Sequence, residues 1–150
     1  MSRKMRDPAL AGFFLQAIIS AGILWLATVA FAATDRTVWD GIYTEEQATR
    51  GRADYTRSCA SCHGADLRGS NTAPSLVEES FAFLYGDMTV GDLYGRIRML
   101  MPSDRPNSLS SQSYRDIVTF ILQSNKFPAG EKELDADPET LRQILITTRR

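Results

Sequence analysis

All the cysteine and histidine in this 150-residue chain lies within five consecutive residues, Cys59-Ala60-Ser61-Cys62-His63. A disulfide framework distributes its cysteines along the chain, so this sequence does not encode one. A structural zinc site needs four ligands, usually two pairs of cysteine or histidine, and the chain has no second pair. Any metal or cofactor bound by this motif is therefore held by its three reactive side chains, alone or together with a ligand that is neither cysteine nor histidine.

Cys-x-x-Cys-His is the attachment signature of c-type haem. Two thiols add to the two vinyl groups, the two-residue spacer sets their separation, and the adjacent histidine lies under the iron as its proximal ligand. A thioredoxin-like dithiol shares the Cys-x-x-Cys spacing but requires a βαβ setting, and this chain shows no clear strand pattern. We therefore predict one covalently bound haem c, held by Cys59, Cys62 and His63.

The N-terminal segment is typical of an export signal. Three basic residues at positions 3–6 precede an uncharged run over residues 9–33, and Ala30-Phe31-Ala32 fits the small-x-small cleavage pattern. We predict that residues 1–32 are a signal peptide cleaved after Ala32. The uncharged run is also long enough to span a bilayer, so an uncleaved membrane anchor is the alternative. Either version places the remainder outside the cytoplasm, and we predict the periplasm, with membrane contact only if residues 1–32 are retained.

The remainder of the chain is mildly acidic. The chain has 17 basic and 18 acidic residues, and removing residues 1–32 takes away three basic residues and one acidic residue, which leaves a net charge of −3. The basic residues show no excess that would indicate a nucleic-acid partner. The acidic balance also disfavours a strongly basic docking face.

Helical patterns dominate the mature chain, and we predict an all-α fold. Thr44 and Gln47 form a capping box that opens a helix to about Ser58. Residues 64–88 show no sustained period apart from a short helix near 77–85, and so long an irregular segment makes sense if it wraps a ligand. Two further helices are predicted over residues 90–100 and 111–124, and the apolar arc of the last is wide enough for burial on more than one side.

Residues 131–150 form a C-terminal extension after a domain over residues 33–130. Asp137 is the predicted cap of a short helix with Pro138 at its first position. Its apolar face is modest, so we expect this helix to pack on the domain surface.

The second axial ligand of the iron cannot be histidine, since His63 is the only one. Methionine is the usual alternative, and Met/His ligation raises the reduction potential. The candidates are Met88, Met99 and Met101. Position favours Met101, at a helix end fixed by Pro102, whereas Met99 is peripheral. Met88 stays open, and a role for Met101 as a core filler is the alternative interpretation.

These residues together resemble the class I cytochromes c, in particular a group of small bacterial mono-haem cytochromes. The resemblance extends from Trp39 to Gly130. The matching stretches are Tyr43-Thr44-Glu45-Glu46-Gln47-Ala48, Cys59-Ala60-Ser61-Cys62-His63-Gly64-Ala65-Asp66-Leu67, Ala73-Pro74-Ser75-Leu76, Gly91-Asp92-Leu93-Tyr94, Met101-Pro102 and Asn125-Lys126-Phe127-Pro128-Ala129-Gly130.

The resemblance implies three main helices wrapped around one covalent haem, plus a short C-terminal helix. It makes Met101 the distal ligand, and Pro74 the residue whose backbone carbonyl accepts a hydrogen bond from His63. It also implies an electron-transfer protein rather than an enzyme. Relatives of this kind often accompany periplasmic quinoprotein dehydrogenases.

Three functions remain in view. The first is a soluble carrier that passes single electrons from a dehydrogenase to a downstream cytochrome or terminal oxidase. The second is a membrane-anchored cytochrome subunit of a respiratory or dehydrogenase complex. The third is a haem sensor or peroxidase-like enzyme, which the lack of a spare histidine or a nucleophile pair disfavours.

Overall fold

The computed structural model describes residues 36–147. Within that range the chain forms six helices and one parallel pair of two-residue strands. This confirms the predicted all-α fold of three long helices and a short C-terminal one, while the strand pair and a one-turn helix at the cysteine motif were not predicted. The helices are α1 (Glu45–Ser58), α2 (Ala60–His63), α3 (Glu78–Tyr85), α4 (Val90–Leu100), α5 (Ser111–Ser124) and α6 (Pro138–Arg142), and the strands are β1 (Arg36–Thr37) and β2 (Ile144–Leu145).

The chain divides into two units, residues 1–32 and 33–150. The first unit, and with it the predicted signal peptide or anchor, lies outside the described residues. Over residues 36–147, no helix is both long and apolar enough to cross a membrane.

Helices α1 and α5 pack closely where their backbones meet at Gly51. A β-carbon built on Gly51 would lie 1.8 Å from the backbone oxygen of Asp116, so only glycine fits at this point. The conformational cost of a glycine inside a helix, about 1 kcal/mol relative to alanine, is thus offset by close helix packing. The side chains of α5 that surround this contact are buried over most of the helix circumference, as its wide apolar arc predicted.

A salt-bridge network centred on Arg50 links three segments of the chain beside this crossing. Asp116 on α5 is only 2% exposed. Its Oδ2 accepts a hydrogen bond of 3.0 Å from Arg50 Nε on α1, and Arg50 Nη2 also donates to Glu133 Oε1 at 2.7 Å. Because a buried charge without a partner is strongly destabilising, Arg50 is required once Asp116 is there.

The predicted capping box at the start of α1 is half correct. Thr44 Oγ1 accepts from the Gln47 backbone N–H at 3.1 Å, as an N-cap should. The Gln47 side chain, however, is buried, and its Oε1 accepts a 2.7 Å hydrogen bond from the backbone N–H of Leu134. A complete capping box occurs instead at the start of α4, between Thr89 and Asp92.

The C-terminal segment is part of the same hydrophobic core. Leu134, Leu141, Ile144 and Ile146 are each at most 3% exposed and belong to the cluster that includes the long helices. Strand β2 pairs with β1, so the two ends of the described chain lie side by side. The surface packing that we expected for this segment therefore understates how deeply it is buried.

Candidate haem site

The cysteine motif lies where α1 ends and the single turn of α2 begins. The backbone N–H of Cys59 donates to Tyr55 O at 2.8 Å, and that of His63 donates to Cys59 O at 3.0 Å. Residues three apart on a helical turn project to one side, so Cys59 and Cys62 point the same way. Both side chains line one cavity, together with that of His63.

This cavity has a volume of about 400 Å³ and brings all five predicted site residues together. Cys59, Cys62 and His63 approach from the end of α1 and from α2, Pro74 from the irregular segment, and Met101 from the end of α4. Much of the remaining wall is apolar, from Leu76, Leu84, Ile97, Ile117 and Ile121. Such a concave, mostly apolar space with a few convergent polar groups is the usual form of a cofactor site.

The imidazole of His63 is fixed by a backbone carbonyl. Its Nδ1 lies 2.9 Å from Pro74 O, and because a carbonyl oxygen only accepts, Nδ1 carries the proton. In the neutral imidazole with its proton on Nδ1, the other ring nitrogen, Nε2, is available to a metal. A histidine that binds a metal through one ring nitrogen usually donates a hydrogen bond from its other ring N–H to a carbonyl, a carboxylate or water. This hydrogen bond sets the ring orientation and increases the basicity of the ligand nitrogen.

Gly69 makes the contact between His63 and Pro74 possible. Its φ of +80° lies in the left-handed region, and a β-carbon there would be 2.6 Å from Ala73 O and 2.7 Å from the carbonyl carbon of Pro74. The Gly69 N–H also donates to His63 O at 2.8 Å. The chain therefore folds back at Gly69 so that Pro74 faces the ring.

The two thiols differ in their surroundings. Cys59 is half-buried and Cys62 is exposed. Burial, with smaller contributions from the charges of Asp54 and Cys62, raises the pKa of the Cys59 thiol to about 11. Cys59 is therefore a neutral thiol at physiological pH for as long as its sulfur is not bonded to another group.

Met101 is placed on the cavity wall by its backbone. Helix α4 ends at Leu100, and Met101 is extended at φ −124° and ψ 152°, as expected for a residue before proline. Its N–H donates to Ile97 O at 2.8 Å, and its carbonyl accepts from the Tyr114 hydroxyl at 2.8 Å. Of the other candidates, Met99 is 68% exposed, and Met88 packs on the core without lining the cavity.

The residues present fit a c-type haem. The cavity offers two thiols for covalent attachment, one neutral imidazole nitrogen and one thioether sulfur. Imidazole and thioether are the axial ligand set of the Met/His cytochromes.

One known protein family matches the central part of this chain. The family model described as cytochrome C oxidase, cbb3-type, subunit III, matches residues 46–121, just over half of the chain. The chain belongs to this family of c-type cytochromes. Membership confirms the class I cytochrome c fold, and it implies covalently bound haem c and electron transfer with redox protein partners.

No curated protein matches this cytochrome. Among solved structures, a chain of the sulfane dehydrogenase SoxCD from Paracoccus pantotrophus is similar, with 23% sequence identity and a TM-score of 0.48. The match covers 71% of this cytochrome and 61% of the SoxCD chain, so the cytochrome spans less than two thirds of that protein's length.

Two tyrosines that sequence reasoning missed hold the site of this cytochrome in place. The Tyr55 hydroxyl donates to Gly64 O at 2.8 Å, just after the cysteine motif, and Tyr114 holds Met101. Burial raises the pKa of Tyr55, so it remains a donor. Both tyrosines lie on apolar helix faces. A tyrosine in such a face, in place of phenylalanine, was the available sequence signal, since a buried hydroxyl needs a partner.

Proposed function

We propose that this cytochrome is exported to the periplasm, carries one haem c and passes single electrons from a dehydrogenase to a downstream cytochrome or terminal oxidase. The observation that carries the proposal is the convergence of Cys59, Cys62, a Pro74-oriented His63 and Met101 on one apolar cavity. With a single Cys-x-x-Cys-His motif in the sequence, one haem per chain is the expected stoichiometry.

Haem iron, when bound, supplies the one-electron ferric/ferrous couple. The two cysteines would keep the cofactor attached, and His63 and Met101 would be its axial ligands. The Pro74 carbonyl holds the His63 ring and increases its basicity, while the Met101 thioether favours the ferrous state. The apolar wall excludes water, which disfavours the additional charge of ferric iron. If His63 and Met101 both hold the iron, the chain itself would supply these ligands and leave no place for a substrate, which favours a carrier over an enzyme.

Haem extraction tests the covalent attachment. Acid–acetone treatment of denatured protein should leave haem on the polypeptide, and the intact mass should correspond to the chain plus one haem. The double variant Cys59→Ala/Cys62→Ala, in which no thioether can form, is the matched control and should release any haem it holds. Loss of haem from the wild-type protein, leaving the apoprotein mass, would refute the assignment.

A membrane-anchored cytochrome subunit is the second candidate, because the uncharged run over residues 9–33 is long enough to span a bilayer. The two candidates predict different N-termini. A soluble carrier should begin at Ala33, as measured by intact mass after periplasmic extraction. A species that keeps Ser2 or Met1 and sediments with membranes would establish the anchored subunit instead.

The quinoprotein dehydrogenases are the donor class that we propose. Support for this class comes from the sequence resemblance alone. Reduction of the purified ferric cytochrome by such a dehydrogenase with its substrate, at a rate that saturates with cytochrome concentration, is the expected result.

A further inference from the structure

The wall of the haem cavity carries very little charge. Among the lining residues, Arg96 is the only arginine or lysine, and Asp104 is the only residue with a side-chain carboxylate. A haem brings two propionates, each a carboxylate at neutral pH, and their pyrrole rings are not those whose vinyl groups react with cysteine. The end of the haem that is not anchored by Cys59 and Cys62 is therefore the charged end.

Arg96 is the cation that this anionic edge requires. It projects from α4 into the cavity wall beside Ile97, and within residues 36–147 it makes no hydrogen bond or ion pair. Asp104, in contrast, repels carboxylates, and its Oδ2 lies 3.8 Å from Arg105 Nη1. A planar guanidinium binds a carboxylate through two parallel N–H donors, which fixes orientation as well as charge.

Tyr85 supplies a second donor on the wall of the same cavity. It is the last residue of α3, it lines the same cavity, and it is 8% exposed. Its ring packs on Phe81 with centroids 5.2 Å apart, and its hydroxyl has no hydrogen-bond partner among the described residues. Burial raises the pKa of Tyr85, and the positive charge of Arg96 acts against that shift. The hydroxyl is therefore protonated and can donate a hydrogen bond, and it lines the same cavity as the guanidinium of Arg96.

We propose that Arg96 and Tyr85 bind the haem propionates, with the guanidinium as counter-charge and the hydroxyl as a neutral hydrogen-bond donor. The proposal rests on haem occupying this cavity, as proposed above. One helix, α4, would then set two properties of the cofactor: Arg96, past the middle of the helix, would hold the propionate edge, and the end of the helix would place Met101 at the iron.

The test uses the holoprotein and two readouts. The propionate-bending band in resonance Raman spectra reports the hydrogen bonding of these groups, and spectroelectrochemistry reports the reduction potential. Arg96→Gln should shift the band and lower the potential, because a positive charge that disfavours ferric iron is lost. Arg96→Lys should restore most of the potential but not the band, since lysine keeps the charge without the two-donor fork. Tyr85→Phe should shift the band and leave net charge unchanged.

The matched control is Arg98→Gln, two residues further along α4. Arg98 does not line the cavity, and its Nε donates to Asn107 Oδ1 at 2.8 Å. This variant loses the same charge and should leave the Raman band unchanged. An unshifted band in Arg96→Gln, or an equal shift of band and potential in Arg98→Gln, would overturn the proposal.

If Arg96→Gln does not accumulate as holoprotein, the test rests on Arg96→Lys and Tyr85→Phe. An unchanged propionate-bending band in both variants would then overturn the proposal. Failure of the haem assignment is a separate result, because it would appear in the wild-type protein as haem lost on extraction.

Discussion

Replacing Met101 by alanine tests the proposed distal ligand separately from its packing. The variant should keep its haem attached, because Cys59, Cys62 and His63 are unchanged. The sixth position would open to water or another ligand, so the ferric spectrum should lose the weak near-infrared band of Met–iron ligation. The reduction potential should fall substantially, since a soft thioether that favours ferrous iron has been removed.

The cost to stability should be modest and should not identify the ligand. Truncating a fully buried methionine to alanine costs about 2–5 kcal/mol through lost contacts and cavity formation. Met101 and Met88 are both only partly buried and pack against the same core, so we expect about 1–2 kcal/mol from packing for each variant. A difference in the spectra between two variants of similar packing cost is therefore due to ligation.

Three variants complete the assay: Met101→Ala, with Met88→Ala and Met99→Ala as matched controls. Near-infrared absorption of the ferric protein, spectroelectrochemistry and urea denaturation are measured on each. Both controls should keep the band, and Met99→Ala should also keep its stability, because Met99 is 68% exposed. Loss of the band in Met88→Ala with its retention in Met101→Ala would refute our reasoning about the wall of the cavity.

Two further predictions concern the packing that supports the site. Gly51→Ala should lower the free energy of unfolding by about 2 kcal/mol, because its β-carbon meets backbone 1.8 Å away and the overpacking exceeds the gain in helix propensity. A β-carbon at Gly95 would meet nothing within 4 Å, so Gly95→Ala should instead raise the free energy of unfolding by up to about 1 kcal/mol. Equal midpoints of urea unfolding for these two variants would show that the helix crossing is not tight. Leu141→Ala, at a fully buried position, should cost about 2–5 kcal/mol, against less than about 1 kcal/mol for the 38% exposed Leu145. Comparable losses for these two would mean that the C-terminal segment does not share the core.

Much of this fold can be predicted from local sequence signals. The bounds of α4 and α5 follow from a cap at one end and, for α4, a proline at the other. Thr89 accepts from Asp92 N–H, and Ser110 accepts from Ser113 N–H, as N-caps do. Gln47 is the instructive exception, because its spacing from Thr44 suits a capping box but its side chain binds Leu134, 87 residues away. No local rule reveals a partner at that separation.

The candidate site depends on contacts of the same non-local kind. Its chemistry is visible in the motif, since Cys-x-x-Cys-His has a specific use, but the cavity requires segments that carry no periodic signal. Pro74 faces His63 only because Gly69 folds the chain back, and Met101 is held by a hydroxyl 13 residues further along. Resemblance to relatives therefore supplied Pro74 as a predicted residue, whereas Tyr114, Arg96 and Tyr85 emerged only from the structure. A sequence motif identifies the reactive groups of a cofactor site. Tertiary packing determines which neutral and charged groups surround them, and those surroundings set the reduction potential of the cofactor.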